Sequence, residues 1–171
     1  MPGIARVYVA AIAIALSGLA HAQVDLAPLP SMLRTLADDA GVLSDQQGVH
    51  LARRLVDILD QTGIRVVVVT LPTVGAEPID EYADRLALRW ARERRVDPDR
   101  MIIVVVAIQD RYMVARPGAG MRLASRLDKG ELLSIVGPLF GKGDYYQGLL
   151  ALADRIQAVI ETNRPSTETG R

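Results

Sequence analysis

Ile64–Leu71 (IRVVVVTL) and Met101–Ile108 (MIIVVVAI) are the two stretches that decide the fold. Both are short runs rich in β-branched residues, and neither alternates apolar with polar across its centre. A strand with one wet face alternates every second residue, whereas a strand apolar on both faces must be covered on both sides. Between the two runs Ile79, Tyr82, Ala83, Leu86 and Trp90 recur at helical spacing, which predicts a helix from about Ile79 to Arg95. Strand, helix, strand, with both strands buried, predicts a sheet held between layers of helix.

The flanks extend this pattern. Ahead of the first run, Ser44 with Gln47 three residues on forms a capping-box pair, and Leu51, Leu55, Ile58 and Leu59 then recur at helical spacing. Thr62-Gly63 ends that helix. After the second run, Gln109-Asp110 is read as a two-residue connection to a shorter strand, Arg111–Arg116. Such a hairpin adds an antiparallel member and makes the sheet mixed. Leu132 to Phe140 reads as helical up to Gly137-Pro138, and Asp144 opens a last helix with Leu149, Leu152, Ile156, Val159 and Ile160 on its core face. The expected architecture is a three-layer α/β/α sandwich around a small mixed β-sheet.

Residues 1–22 read MPGIARVYVAAIAIALSGLAHA: one charge at Arg6, an apolar run from Val7 to Leu19, and the small-x-small site Ala20-His21-Ala22. This is the plan of a secretory signal peptide, with an apolar run too short to span a bilayer comfortably. The expected organisation is a signal peptide at 1–22, an extended leader at 23–35, the folded domain at 36–162 and a polar tail at 163–171. Cleavage near Ala22 predicts a periplasmic or secreted chain with no membrane span in its mature part. The 171 residues carry 20 Lys plus Arg against 20 Asp plus Glu, and this balance argues against a nucleic-acid partner. With no cysteine, disulfides, thiolate nucleophiles and thiolate-bound metals are excluded. Two histidines, one of them in the signal stretch, leave carboxylates, arginines and backbone amides as the available chemistry.

In its ordered pieces the chain resembles the TPM domain family, the module of a thylakoid-lumen protein, a photosystem II repair factor and many bacterial envelope proteins. The pieces are Leu36-Ala-Asp38-Asp-Ala40-Gly41-Val42-Leu43-Ser44, Thr62-Gly63 before the Val-rich strand, and Ile79-Asp80-Glu81-Tyr82-Ala83 with Trp90. The central MIIVVVA strand with Asp110-Arg111, and Gly143-Asp144-Tyr145 with Gly148, complete them. The resemblance implies an α/β/α fold, a role in envelope protein maintenance with an envelope protein as partner, bound calcium (Ca2+) in some members and a weak acid phosphatase activity. One segment departs from the family. Where relatives read E-x-G-x-G-L-E, this chain reads Arg116-Pro-Gly118-Ala-Gly120-Met-Arg122, with arginine at both glutamate positions.

Hard cations take oxygen ligands, so Asp38, Asp39 and Asp110 are the candidate metal ligands. In open α/β sheets ligands gather at the carboxyl ends of the strands, where Asp110 falls. The competing reading is that Asp38 braces a turn and Asp110 serves the hairpin. Asp97-Pro98-Asp99 precedes its strand rather than following it, so it is a turn and not a phosphoryl-accepting pair. Arg111, Arg116, Gly118, Gly120 and Arg122 form a locally basic stretch whose backbone amides could meet an anion. No residue is singled out as catalytic. The reading that follows is a non-catalytic binding or accessory module of the envelope. The alternatives are a weak divalent-metal-dependent acid phosphatase, and an anion or peptide binder working through the Arg-rich Gly-x-Gly loop.

Overall fold

The computed structural model describes residues 35–121, 123 and 126–163. The signal stretch, the leader up to residue 34, Arg122 and the tail beyond Asn163 lie outside the described residues. In chain order the elements are β1 (Leu36–Asp38), α1 (Asp45–Thr62), β2 (Arg65–Leu71), α2 (Ile79–Arg94), a 3₁₀ turn (Pro98–Arg100), β3 (Met101–Ala107), β4 (Tyr112–Pro117), α3 (Lys129–Phe140) and α4 (Tyr145–Thr162).

The two apolar runs become the middle of the sheet. Strand order is β1-β2-β3-β4, with the first three parallel and β4 antiparallel to β3. Every residue of β3 and all but the first of β2 are buried. Val66, Val68, Ile102, Val104 and Val106 face α1, α3 and α4, against Leu55, Val136 and Leu152. Their neighbours Val67, Val69, Ile103 and Val105 face α2, against Tyr82, Leu86 and Trp90. Each such side chain taken from water contributes roughly 2 kcal/mol, which is why unbroken Val and Ile runs select a sheet covered on both faces. The three expected layers are present.

Both parallel connections step the same way across the sheet, yet α1 and α2 cover opposite faces. One of the two crossovers is therefore left-handed, against a strong general preference for the right-handed form.

The helix signals hold at their caps. Ser44 Oγ accepts from the Gln47 amide at 3.3 Å, and Gln47 Oε1 accepts from the Ser44 amide at 2.9 Å. Gly63 takes φ +70° and donates its N–H to the Leu59 carbonyl at 2.7 Å, closing α1 with a backbone conformation that glycine adopts without strain. Asp144 Oδ1 accepts from Gln147 N at the start of α4.

Three local readings are corrected. Pairing at the sheet edge already involves Thr35, whose carbonyl accepts from Val68 N at 2.8 Å, and β1 itself has no signal in the sequence: three residues carry no periodicity. The β3–β4 connection is four residues, Ile108–Arg111, because the ladder ends at the Ala107–Tyr112 pair and Arg111 turns the chain with φ +53°. Helix α3 begins at Lys129, capped by Asp128, and runs through Pro138 to Phe140. Ser134 and Pro138 are both exposed, so water can take the Ser134 carbonyl that the proline ring leaves unbonded.

Candidate functional site

The carboxyl ends of β1, β2 and β3 open into loops that carry most of the singled-out carboxylates. Asp38, the last residue of β1, accepts hydrogen bonds from Val42 N (3.2 Å), Leu43 N (2.9 Å) and the Thr70 hydroxyl. The next turn is pinned as well, since the amides of Asp39 and Ala40 both donate to the Thr70 carbonyl. Asp38 therefore closes the β1–α1 loop. Asp39 lies on the outer side of that turn. Partial desolvation, and secondarily the adjacent Asp38 charge, hold its carboxyl above the ordinary carboxylate range.

Asp110 acts as the same kind of brace at the end of β3. It accepts from the Thr73 hydroxyl at 2.8 and 3.0 Å and from Val74 N at 2.8 Å, tying the β3–β4 turn to the β2–α2 loop. Ile108 N and Gln109 N add bonds to the carbonyls of Leu71 and Pro72. A carboxylate offers about four lone-pair positions. Both aspartates spend most of theirs on loop amides and hydroxyls.

Calcium needs six to eight oxygens. Among the described residues no three His, Cys, Asp or Glu side chains are grouped so as to hold a metal ion. With Asp38 and Asp110 each engaged by three donor contacts, the residues present do not fit the calcium that the family resemblance implied.

The basic stretch is divided by β4. Tyr112 pairs with Ala107 at the carboxyl end of β3, and Pro117 pairs with Ile102 at its amino end. Six residues of strand span roughly 20 Å. Arg111 is thus at one end of the sheet, with Arg116, Gly118 and Gly120 at the other, while Arg122 lies outside the described residues. Arg116 is met by two acids one turn apart on α2, at 3.2 Å from Asp84 and 3.6 Å from Asp80. The two glycines dock on the 3₁₀ turn. Gly118 N donates to the Met101 carbonyl, Gly120 N donates to Asp99 Oδ1 at 2.8 Å, and a Cβ on Gly118 would fall on the Pro98 carbonyl oxygen. Both amides are taken by the protein itself.

What remains open at the carboxyl end is a crevice of about 530 Å³ between the β3–β4 turn and the α3–α4 turn. Arg111, Tyr112, Phe140, Gly141, Gly143 and Tyr145 border it, with Ala107 and Ile108 beside them. Arg111 is exposed, and its side chain makes no hydrogen bond or ion pair among the described residues. Tyr112 is 53% exposed, and the Lys129 ammonium lies 4.4 Å from its ring centroid. Phe140 and Tyr145 stack at 5.2 Å between centroids. A second groove of about 480 Å³ lies on the other side of Tyr112, lined by Glu77, Asp110 and Lys129 among others. Of these residues the sequence singles out only Arg111 and Asp110 as site candidates. Tyr112 and Phe140 fall there only within a strand and at the end of a helix.

A three-layer α/β/α domain whose open crevice sits beyond the carboxyl ends of its strands defines the class. Residues 36–159 match the model of the TPM domain, and the chain belongs to that family. None of the curated proteins compared with it matches. Among solved structures it is similar to the N-terminal domain of a protein from P. gingivalis, at 27% identity and a TM-score of 0.61 over 74% of this chain and 82% of that one. It is also similar to the N-terminal domain of the cg2496 protein from Corynebacterium glutamicum (16% identity, TM-score 0.56, 83% and 90% covered). The BA42 protein of the psychrophilic Bizionia argentinensis shares the fold at 13% identity and TM-score 0.58, over 70% and 82%.

Proposed function

We propose that this TPM domain is an exported, non-catalytic binding or accessory module of the cell envelope. Its partner would be an envelope protein that lays an acidic segment with an apolar side chain into the carboxyl-end crevice. The observation that carries this reading is Arg111: an unpaired guanidinium on a residue held at φ +53°, a backbone conformation costing a non-glycine residue roughly 1–2 kcal/mol. Lys142, between the lining glycines 141 and 143, and Lys129 on Tyr112 add positive charge around the opening. Tyr112, Phe140 and Tyr145 supply flat apolar area at little entropic cost. The Ala20-His21-Ala22 site and the short apolar run before it support export, and a mature chain beginning at Gln23 is the expected product.

The test is capture from an envelope fraction by the wild-type chain, by Arg111→Glu and by Arg116→Ala. A partner retained by the wild type and by Arg116→Ala but lost with Arg111→Glu supports the crevice. Equal retention by all three overturns it. Mass spectrometry of the exported fraction checks the amino terminus, and an intact Met1 form in membranes would sink the export reading.

A further inference from the structure

The charge and the apolar floor of the carboxyl-end crevice come from one short segment. Arg111 is exposed with no side-chain partner among the described residues, and Met113, two positions on, lies in the floor at 2% exposure. Asp110, through Thr73 and Val74, fixes the turn that holds Arg111 at φ +53°. The guanidinium is therefore presented by a braced backbone. The facing wall is fixed too: the Phe140 ring lies against Gly148 of α4, where a Cβ would collide with it, and Tyr145 packs on it.

Only side chains can receive an anion here. In the α3–α4 turn the amides of residues 141 to 144 all donate to carbonyls of α3. Arg111, Lys129 and Lys142 stand around the opening, and none of them makes an ion pair among the described residues. The acids beside them in the chain, Asp110 and Asp144, accept from neutral donors, which leaves their charge in place. Three cations against two acids still leave the opening positive. A positive opening over an apolar floor suits a ligand that is anionic and apolar at once.

Size and spacing narrow that ligand. At about 530 Å³ the crevice has the volume of a small-ligand site, about 300–1,000 Å³, which suits the end of a chain better than a length of it. In an extended segment adjacent side chains point to opposite sides, and two on the same side are about 7 Å apart. An internal acidic residue thus turns its apolar neighbour away from the crevice that takes its carboxylate. A carboxyl-terminal residue carries carboxylate and side chain on a single Cα, and delivers both together. Tyr112 borders the second groove as well, so the residues before the terminus have a path over its ring.

Taking the crevice as the place where the partner docks, we propose that it receives the free carboxyl terminus of that partner. The terminal carboxylate sits on Arg111, and the last side chain, apolar and flat, lies among Met113, Phe140 and Tyr145.

The readout is the amide signals of Gly141 and Gly143, which line the crevice, in a ¹H–¹⁵N spectrum. Short acetylated peptides of equal length are titrated: one ending in phenylalanine with a free carboxylate, the same peptide as its carboxamide, and a carboxamide with aspartate before the phenylalanine. The expected result is saturable shifts with the free carboxylate and about tenfold weaker binding of the plain carboxamide, the loss of one charged hydrogen bond. Arg111→Asn should weaken the free-carboxylate peptide by a similar factor, since asparagine tolerates the left-handed backbone and lacks the charge. Arg116→Ala, at the other end of the sheet, should leave it unchanged. Equal binding of the free carboxylate and its carboxamide, or equal binding by Arg111→Asn, overturns the proposal. The carboxamide comparison uses the wild-type chain, so it decides the matter even if the variant does not fold. Binding of the aspartate peptide as tight as that of the free carboxylate, or tighter, also overturns it but leaves the acidic-segment reading of the crevice standing. No saturable shift with any of the peptides overturns both.

Discussion

The two ends of the sheet are closed by different means. At the carboxyl end, side chains reach across: Asp38 and Asp110 accept backbone amides and threonine hydroxyls from neighbouring loops. At the amino end Gly118 packs backbone against backbone on the Pro98–Arg100 turn, and Gly120 beside it donates its N–H to the Asp99 carboxylate. A carboxylate bridge holds two loops a side chain's length apart, and the one made by Asp110 fixes the β3–β4 turn that forms one wall of the crevice. Backbone against backbone leaves no such gap at Gly118. Carboxylates that resemble metal ligands in the sequence are therefore the means by which the loops at the carboxyl end are fixed, and Asp110 among them holds the turn that borders the crevice.

If this contrast holds, the largest effect comes from adding one methyl at the amino end. Gly118→Ala should cost about 3 kcal/mol, because the new carbon overlaps the Pro98 carbonyl and the turn must move. A melting temperature unchanged by the substitution would show that this end is as tolerant as the other. At the carboxyl end Asp38→Ala and Asp110→Ala should each cost roughly 2 kcal/mol by stranding loop amides. Denaturant unfolding checks the magnitude, and hydrogen exchange at Val42, Leu43 and Val74 checks the location. Loss of stability without faster exchange at those amides would break the bridging account.

Smaller effects sharpen it. Arg116→Ala removes half-exposed ion pairs to Asp80 and Asp84 and should cost only about 0.5 kcal/mol, a difference that molar salt erases. The smallest effect belongs to Asp39, whose carboxyl in the folded chain is held above its unfolded value. Folding favours its protonated form, so its contribution is most favourable in acid and is lost as pH rises through the folded pKa. Asp39→Asn should accordingly raise the melting temperature slightly at neutral pH, and that gain should vanish as pH falls below the ordinary carboxylate range. A gain that persists in acid would mean that Asp39 is strained by something other than charge.

Much of the fold is legible in the sequence because its signals are local. The two apolar strands, the Ser44–Gln47 box, the Gly63 stop and the Asp144 cap each depend on residues within a few positions of one another. Strand β1 is not legible, since Leu36–Asp38 becomes a strand only by lying beside Val68–Thr70. The site is half legible. Position relative to strand ends points to Asp38 and Asp110, but their partners Thr70 and Thr73 are 32 and 37 residues away. Proximity in sequence misleads in the arginine stretch. Arg111 and Arg116 look like one cluster, and a strand running the length of the sheet carries them to opposite ends.

The order of the strands has a bearing on solubility. VVVV and IIVVV are the kind of segment that stacks into fibrils when its edges are free. Here both are interior to the sheet, flanked by β1, only three residues long, and by β4, which ends in Arg116-Pro117. A three-residue edge is a poor template for a further strand, and an edge bearing a charge and a proline is another. Closing the sheet pairs Val68–Thr70 with β1 and Ile102–Ala107 with β4, so the danger of clumping is greatest during the time the chain spends unfolded.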